Sequence, residues 1–141
     1  MRFWDSSAVV PLVAAEAASD ALMKLKKRDP RMWVWFGSRV EVSSALNRRR
    51  RDGGLTAASL TAALTRLDQL AMMWDEITPS DRLRSTAEKV LRVHELGAGD
   101  SLQLAAALEA SDGQPGNLEF VCLDRRLSLA ASLEGFHIAD I

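Results

Sequence analysis

Short apolar runs alternate along the chain with longer segments in which apolar residues recur every three or four positions. The short runs predict buried strands, and the longer segments predict helices that pack on them. Strands alternating with helices are typical of an α/β fold in which a parallel sheet is covered on both faces. We therefore predict one α/β domain over residues 1–141. The predicted strands lie near residues 3–4, 32–36, 74–78, 119–123 and 136–138.

Capping and breaking residues set the predicted limits of the helices. Ser6 is a competent N-cap for a helix from Ser7, and Asp100 is one for a helix over residues 101–110. A further helix begins at Thr56 and carries the clearest apolar stripe. The stripe consists of Leu60, Leu64, Leu67, Ala71 and Trp74. The other predicted helices cover residues 16–27, 38–51, 80–94 and 125–133.

The composition is that of a globular domain, because 48% of the residues are apolar and such a chain is not disordered. The single cysteine, Cys122, excludes a disulfide within the chain and a cysteine-based zinc cluster. The N-terminus lacks the pattern of a secretory signal, and no apolar run approaches the ~18 residues of a membrane span. We therefore expect a soluble, cytoplasmic protein that does not enter a membrane.

The charge is unevenly distributed, although the net charge is only −1. Residues 24–51 hold ten Lys or Arg and two Asp or Glu, which leaves this segment at +8 and the remainder at −9. Such asymmetry predicts a basic face, suited to phosphate, beside an acidic region suited to a metal ion. The run Arg48, Arg49, Arg50 and Arg51 is either a solvated helix end or an RNA-binding surface.

Four carboxylates stand where predicted strands give way to helices. Asp5 and Asp124 follow apolar runs, Asp100 precedes an apolar helix, and Glu41 lies near the start of another. The ends of parallel strands converge on one crevice, so we expect these side chains to meet there. Carboxylates brought together repel one another and favour a divalent cation. Oxygen-only ligands predict magnesium or manganese.

Each acid also has a simpler explanation. Asp100 and Asp124 suit helix N-caps, and Gln103 would complete a capping box with Asp100. Glu41 could pair with Arg48 along one helix face. Asp5 is harder to explain in this way, because Ser6 beside it already supplies a cap and an unpaired buried carboxylate is costly. The coincidence of four acids at similar places favours a common site.

Four segments in order resemble the motifs of PIN-domain nucleases, especially VapC-type toxins. They are residues 4–10 around Asp5, 40–46 around Glu41, 94–108 around Asp100 and 120–127 around Asp124. The resemblance spans nearly the whole chain. It implies a central parallel sheet of about five strands with helices on both sides, metal-dependent cleavage of RNA, a VapB-like antitoxin and a homodimer.

The resemblance also implies roles for the acids. Asp5 and Asp100 would be the principal metal ligands, with Glu41 bound directly or through water and Asp124 completing the site or holding a second ion. Ser6 would orient a ligand by hydrogen bonding. There are two departures. Cys122 stands where the family often has Thr or Ser, and residues 97–99 (Gly-Ala-Gly) replace a segment that often carries Arg.

The sequence therefore predicts a Mg²⁺- or Mn²⁺-dependent endoribonuclease and, by resemblance, the toxin of a VapBC-type pair. A PIN fold that only docks partners, and a PIN ribonuclease that is not a toxin, stay open as alternatives. A phosphoryl-acceptor domain also places an aspartate after its first strand. The receiver version needs a lysine after a late strand, and the lysines here lie at 24, 26, 27 and 89. The phosphatase version needs a second Asp at the position of Ser7.

Overall fold

The computed structural model describes all 141 residues, and its centre is a parallel sheet of five strands in the order β3-β2-β1-β4-β5. The predicted α/β fold class is confirmed, and every predicted strand is present, although most are shorter than expected. The strands are β1 (Arg2–Trp4), β2 (Met32–Trp35), β3 (Asp75–Ile77), β4 (Glu119–Val121) and β5 (His137–Ile138).

Seven helices cover the two faces of the sheet. The buried residues of α1 to α4 form one core cluster with Trp4, Val34 and Val121. Those of α5 to α7 form a second cluster with Phe3 and Phe120 on the opposite face. Successive strand residues point to opposite faces, so both sides are apolar. The helices are α1 (Ser6–Val13), α2 (Ser19–Arg28), α3 (Ser38–Arg51), α4 (Ala57–Ala71), α5 (Asp81–Val93), α6 (Ala98–Ala110) and α7 (Arg125–Leu133).

Strand β1 lies at the centre of the sheet, and the chain continues from it directly into α1. The strand pairs with β2 on one side and β4 on the other. The Phe3 ring stacks on Phe120 of β4 with a centroid separation of 5.5 Å. Since Phe3, Trp4 and Phe120 are fully buried, the end of β1 is fixed by packing on both faces.

Two predicted N-caps are wrong, and both errors concern the acids. Asp5, not Ser6, is the N-cap of α1, because its side chain accepts a hydrogen bond from the Ser7 amide. Helix α6 begins at Ala98 with Gly97 as N-cap, so Asp100 lies inside its first turn and caps nothing. The proposed capping box with Gln103 is therefore absent. The predicted cap of α7 is confirmed, since Asp124 accepts a hydrogen bond from the Leu127 amide.

Two further helix limits differ from the prediction. Helix α2 begins at Ser19 rather than near residue 16, because the Ser19 hydroxyl accepts from the Glu16 amide in a preceding turn. Helix α4 ends at Ala71, so Trp74 is not part of its stripe. The remaining stripe residues pack on the chain's own core. No helix is both long enough and apolar enough to cross a membrane.

Candidate active site

Asp5 is the most deeply buried acid of the site, with 2% of its surface exposed. Its amide donates to the Val121 carbonyl at 2.9 Å and so extends the pairing of β1 with β4. Oδ2 accepts hydrogen bonds from the amide and the hydroxyl of Ser7 and is 3.6 Å from the Cys122 thiol. All these contacts end on Oδ2, which leaves Oδ1 without a protein donor.

Ser7 and Cys122 connect Asp5 to the segment that follows β4. The Ser7 hydroxyl accepts from the Leu123 amide at 2.9 Å, and the Cys122 sulfur accepts from the Asp124 amide at 3.3 Å. Burial raises the pKa of the Cys122 thiol to about 12, so it stays protonated and can donate weakly to Asp5. The cysteine thus supplies a donor at the place where a hydroxyl was expected from the resemblance.

Glu41 lies in the first turn of α3 and is held by donors from two other helices. The Ser6 hydroxyl of α1 donates to Oε2 at 2.8 Å. The Gln103 amide of α6 lies 3.4 Å from each Glu41 oxygen and donates to the Ser38 hydroxyl at 2.9 Å. The alternative pairing of Glu41 with Arg48 does not form, because neither residue takes part in any salt bridge.

Asp100 and Asp124 complete the set from the first turn of α6 and from the N-cap of α7. Asp100 is half-buried in the first turn of α6, and no hydrogen bond holds its carboxylate. Asp124 is exposed and uses Oδ1 to cap α7 at 2.8 Å from the Leu127 amide. The cap therefore leaves Oδ2 of Asp124 without a protein donor.

One cleft at the carboxyl ends of the strands brings all four acids together, as the sequence predicted. The cleft has a volume of about 450 Å³. Ser6 and Arg48 lie on its wall, so one of the four arginines shares the cleft with the acids. Its lining residues are Asp5, Ser6, Ser7, Val10, Val40, Glu41, Ser44, Ala45, Arg48, Asp100 and Asp124.

The ionisation of three acids is linked. Burial is the main cause that raises the pKa of Asp5, Glu41 and Asp100. Hydrogen bonds from Ser7 oppose the shift at Asp5, and those from Ser6 and Gln103 oppose it at Glu41. The charges of Asp124 and Asp5 raise the pKa of Asp100 further. Concentrating negative charge here therefore costs stability at neutral pH.

The four arginines at the end of α3 are not equivalent. Arg48 is exposed and lines the acidic cleft. Arg49 is half-buried and forms an ion pair with Glu16. Arg50 and Arg51 are at the exposed end of the helix and do not line the cleft. The sequence run alone did not distinguish these three environments.

The donor set fits a hard divalent cation in its chemistry. Four carboxylates share the cleft, and Oδ1 of Asp5 and both oxygens of Asp100 have no protein donor. Hard cations take such oxygen ligands, commonly together with water. No three Asp, Glu, His or Cys side chains are already gathered at coordination distance. A cation would therefore have to draw the acids together or bind partly through water.

Three residues of the site were not assigned to it from the sequence. Ser7 follows Asp5 by two positions, the spacing at which an Asp side chain caps a backbone amide, and that signal was available. Gln103 is a single amide in the apolar middle of α6, and Ser38 begins α3. Both are fully buried. The contacts of Gln103 with Glu41 and with Ser38 depend on tertiary packing, for which the sequence has no local signal.

Comparisons with known proteins rest on structure, because no family model and no curated protein sequence matches the chain. FitAcB from Neisseria gonorrhoeae aligns with a TM-score of 0.73 at 11% identity, over 99% of this chain and 97% of that chain. VapC20 from Mycobacterium tuberculosis, a toxin that cleaves the sarcin-ricin loop, gives 0.69 at 18% identity over 96% of both chains. This chain has the fold of the VapC-type PIN domains.

A toxin–antitoxin complex from Klebsiella pneumoniae supports the same assignment. It aligns with a TM-score of 0.65 at 12% identity, over 91% of each chain. The TM-scores establish the fold of this PIN-like chain. Because the identities are low, its activity has to be argued from the cleft.

The raised pKa values predict how the metal-free protein responds to pH. The stability lost by ionising Asp100 returns as the pH falls from neutral, through the raised value, towards the ordinary 3.8. Asp100→Asn should therefore flatten the rise of the thermal midpoint on mild acidification. At neutral pH the thermal midpoint of Asp100→Asn should exceed that of the wild type only slightly. The substitution also removes a negative charge from the first turn of α6, where the helix dipole favours such a charge by about 0.3–1 kcal/mol.

Thermal unfolding followed by circular dichroism in a chelator measures this response. Asp140→Asn is the matched control, because Asp140 is exposed near the C-terminus and forms no ion pair. If the thermal midpoint of Asp100→Asn changes with pH as those of Asp140→Asn and the wild type do, the pKa of Asp100 is not raised as described.

Proposed function

We propose that this PIN-fold protein is a Mg²⁺- or Mn²⁺-dependent endoribonuclease, the toxin of a VapBC-type pair. The observation that carries the proposal is the cleft in which Asp5, Glu41, Asp100 and Asp124 meet beside Arg48. A carboxylate cluster that costs stability without a cation is typical of a metal site. The likeness to VapC20, a toxin that cleaves the sarcin-ricin loop, supports RNA as the substrate class.

Asp5 and Asp100 would hold the cation, since both have oxygens without protein donors. A bound divalent cation would lower the pKa of a water molecule and offset charge that develops on the phosphate. Glu41 would bind that cation directly or through water. Asp124 would complete the site or hold a second ion.

The other residues position these groups. Ser7 and Cys122 fix the orientation of Asp5, and Ser6 fixes Glu41. Arg48 would hold a phosphate of the RNA backbone beside the acids. Such a contact places the substrate without reading its sequence.

Removing a ligand charge should abolish cleavage while the fold survives. Asp5→Asn keeps the shape of the side chain and an oxygen that can cap α1. Loss of groups that only support a metal ligand commonly costs about 10–100-fold in activity, so the loss of activity on removing the ligand itself should exceed about 100-fold.

Cleavage of a mixed RNA substrate with and without Mn²⁺ measures the effect, and Asp140→Asn serves as control. Wild-type cleavage by Asp5→Asn would exclude this mechanism. No cleavage by the wild type under any metal condition would favour a docking module.

The arginine run should contribute to RNA affinity unequally. Removing one phosphate contact lowers the slope of log affinity against log salt by roughly 0.7 for single strands. We expect Arg48→Gln, at the cleft, to reduce the slope by at least that amount. Replacing all four arginines should reduce it further. Lys89→Gln removes an exposed charge on α5, on the other face of the sheet, and is the matched control. Equal slopes for Arg48→Gln and Lys89→Gln would make the run a solvated helix end only.

A VapB-like antitoxin is the proposed partner. An open acidic cleft with arginine at its edge would threaten cellular RNA, and a partner's Arg or Lys could neutralise Asp5 and Asp100. A groove of about 580 Å³ between α1, α2 and α4 offers an apolar seat for such a partner. Its lining includes Leu12, Val13, Met23, Leu70 and Met73, together with Lys26, Lys27 and Arg66.

A homodimer is also part of the proposal. Val93, Leu129 and Leu133 are 72%, 62% and 69% exposed, and they line one pocket of about 250 Å³. Exposed apolar side chains grouped in this way are typical of interaction surfaces. The face lies across the sheet from the groove proposed for the antitoxin, so both contacts can coexist.

Co-expression with the protein encoded beside this one tests the partner. We expect a complex that cleaves RNA poorly and that relieves growth inhibition. Met73→Glu should weaken the complex because Met73 lines the groove, whereas Met72→Glu is the matched control, exposed beside it and outside the lining. Absence of a complex, together with a harmless free chain, would contradict the toxin assignment and leave a PIN ribonuclease of another kind.

A further inference from the structure

We propose that Gln103 is a positioning residue that holds Glu41 in the geometry needed for metal binding, an inference that rests on the proposed function. Gln103 projects from α6 and is fully buried. Its Nε2 lies 3.4 Å from both Glu41 oxygens and donates to the Ser38 hydroxyl at 2.9 Å. It therefore contacts Glu41 from the protein interior and cannot touch RNA.

The contact restrains a side chain that would otherwise be mobile. Glu41 is only half-buried, and a free glutamate samples several rotamers that binding must then freeze. The Ser6 hydroxyl holds Oε2 from α1, and the Gln103 amide holds both oxygens from α6. A ligand fixed by donors from two rigid elements is already oriented before the cation arrives.

A purely structural role explains Gln103 poorly. Its neighbours in α6, Leu104 to Ala107, are apolar and buried, so an apolar residue would suit the position. The Gln103 Oε1 is buried without a hydrogen-bond partner, which is unfavourable for folding. Gln103 is thus a polar residue that the core does not need, and its amide nitrogen faces Glu41. Such a residue is expected where function requires it.

The test compares Gln103→Met, Glu41→Gln and the double variant. Methionine keeps the length of the side chain and removes the amide. We expect Gln103→Met to lower kcat and Mn²⁺ affinity by about ten- to hundredfold, with KM for RNA unchanged. The double variant should lose no more than Glu41→Gln alone, because the amide would act only through Glu41. Ser111→Ala, which removes a buried hydroxyl at the far end of α6, is the control and should keep wild-type activity.

Mn²⁺ binding by calorimetry and thermal unfolding of the metal-free protein separate the outcomes. Additive losses in the double variant, or a loss of activity that follows only the unfolded fraction, would overturn the inference. Wild-type cleavage and Mn²⁺ binding by Gln103→Met would overturn it while leaving the proposed function intact. If the wild-type protein neither cleaves RNA nor binds Mn²⁺, the proposed function fails, and the inference fails with it.

Discussion

The site depends on the fixed position of one buried carboxylate at the end of the central strand. Asp5 directly follows β1, pairs with β4 through its amide, and caps α1 through Oδ2. Packing on both faces holds the strand, and Ser7 and Cys122 hold the side chain. The capping role and the proposed metal role are compatible, because they use different oxygens. Asp5 was not assigned a structural role from the sequence, but it has one in the fold as the N-cap of α1.

The negative charge gathered in the cleft lowers the stability of the fold. Burial raises the pKa of Asp5, Glu41 and Asp100, so their negative charge at neutral pH opposes folding. The surrounding donors satisfy only part of this charge. A buried amide oxygen on Gln103 is left without a partner in the same region. Such local costs are commonly found at functional sites, where a ligand supplies the missing interactions.

The architecture could be predicted from the sequence because its signals are local. Apolar runs marked all five strands, and the gathering of four acids followed from parallel topology. Local signals failed where two residues compete for one role, as Ser6 and Asp5 do for the cap of α1. They also failed for contacts made only in three dimensions: the Gln103 amide reaches Glu41 across 62 positions. The different surroundings of the four arginines likewise depend on tertiary contacts, since Arg49 pairs with Glu16, which is far from it in the sequence.

The most direct test of the carboxylate site is anomalous diffraction from crystals of the wild-type protein soaked in Mn²⁺. We predict a manganese peak inside the cleft, next to the carboxylates of Asp5 and Asp100, which would be the residues that hold the ion. Glu41 would contact the ion directly or through one water. Fully soaked crystals with no peak in the cleft, or with manganese bound only elsewhere, would contradict the account.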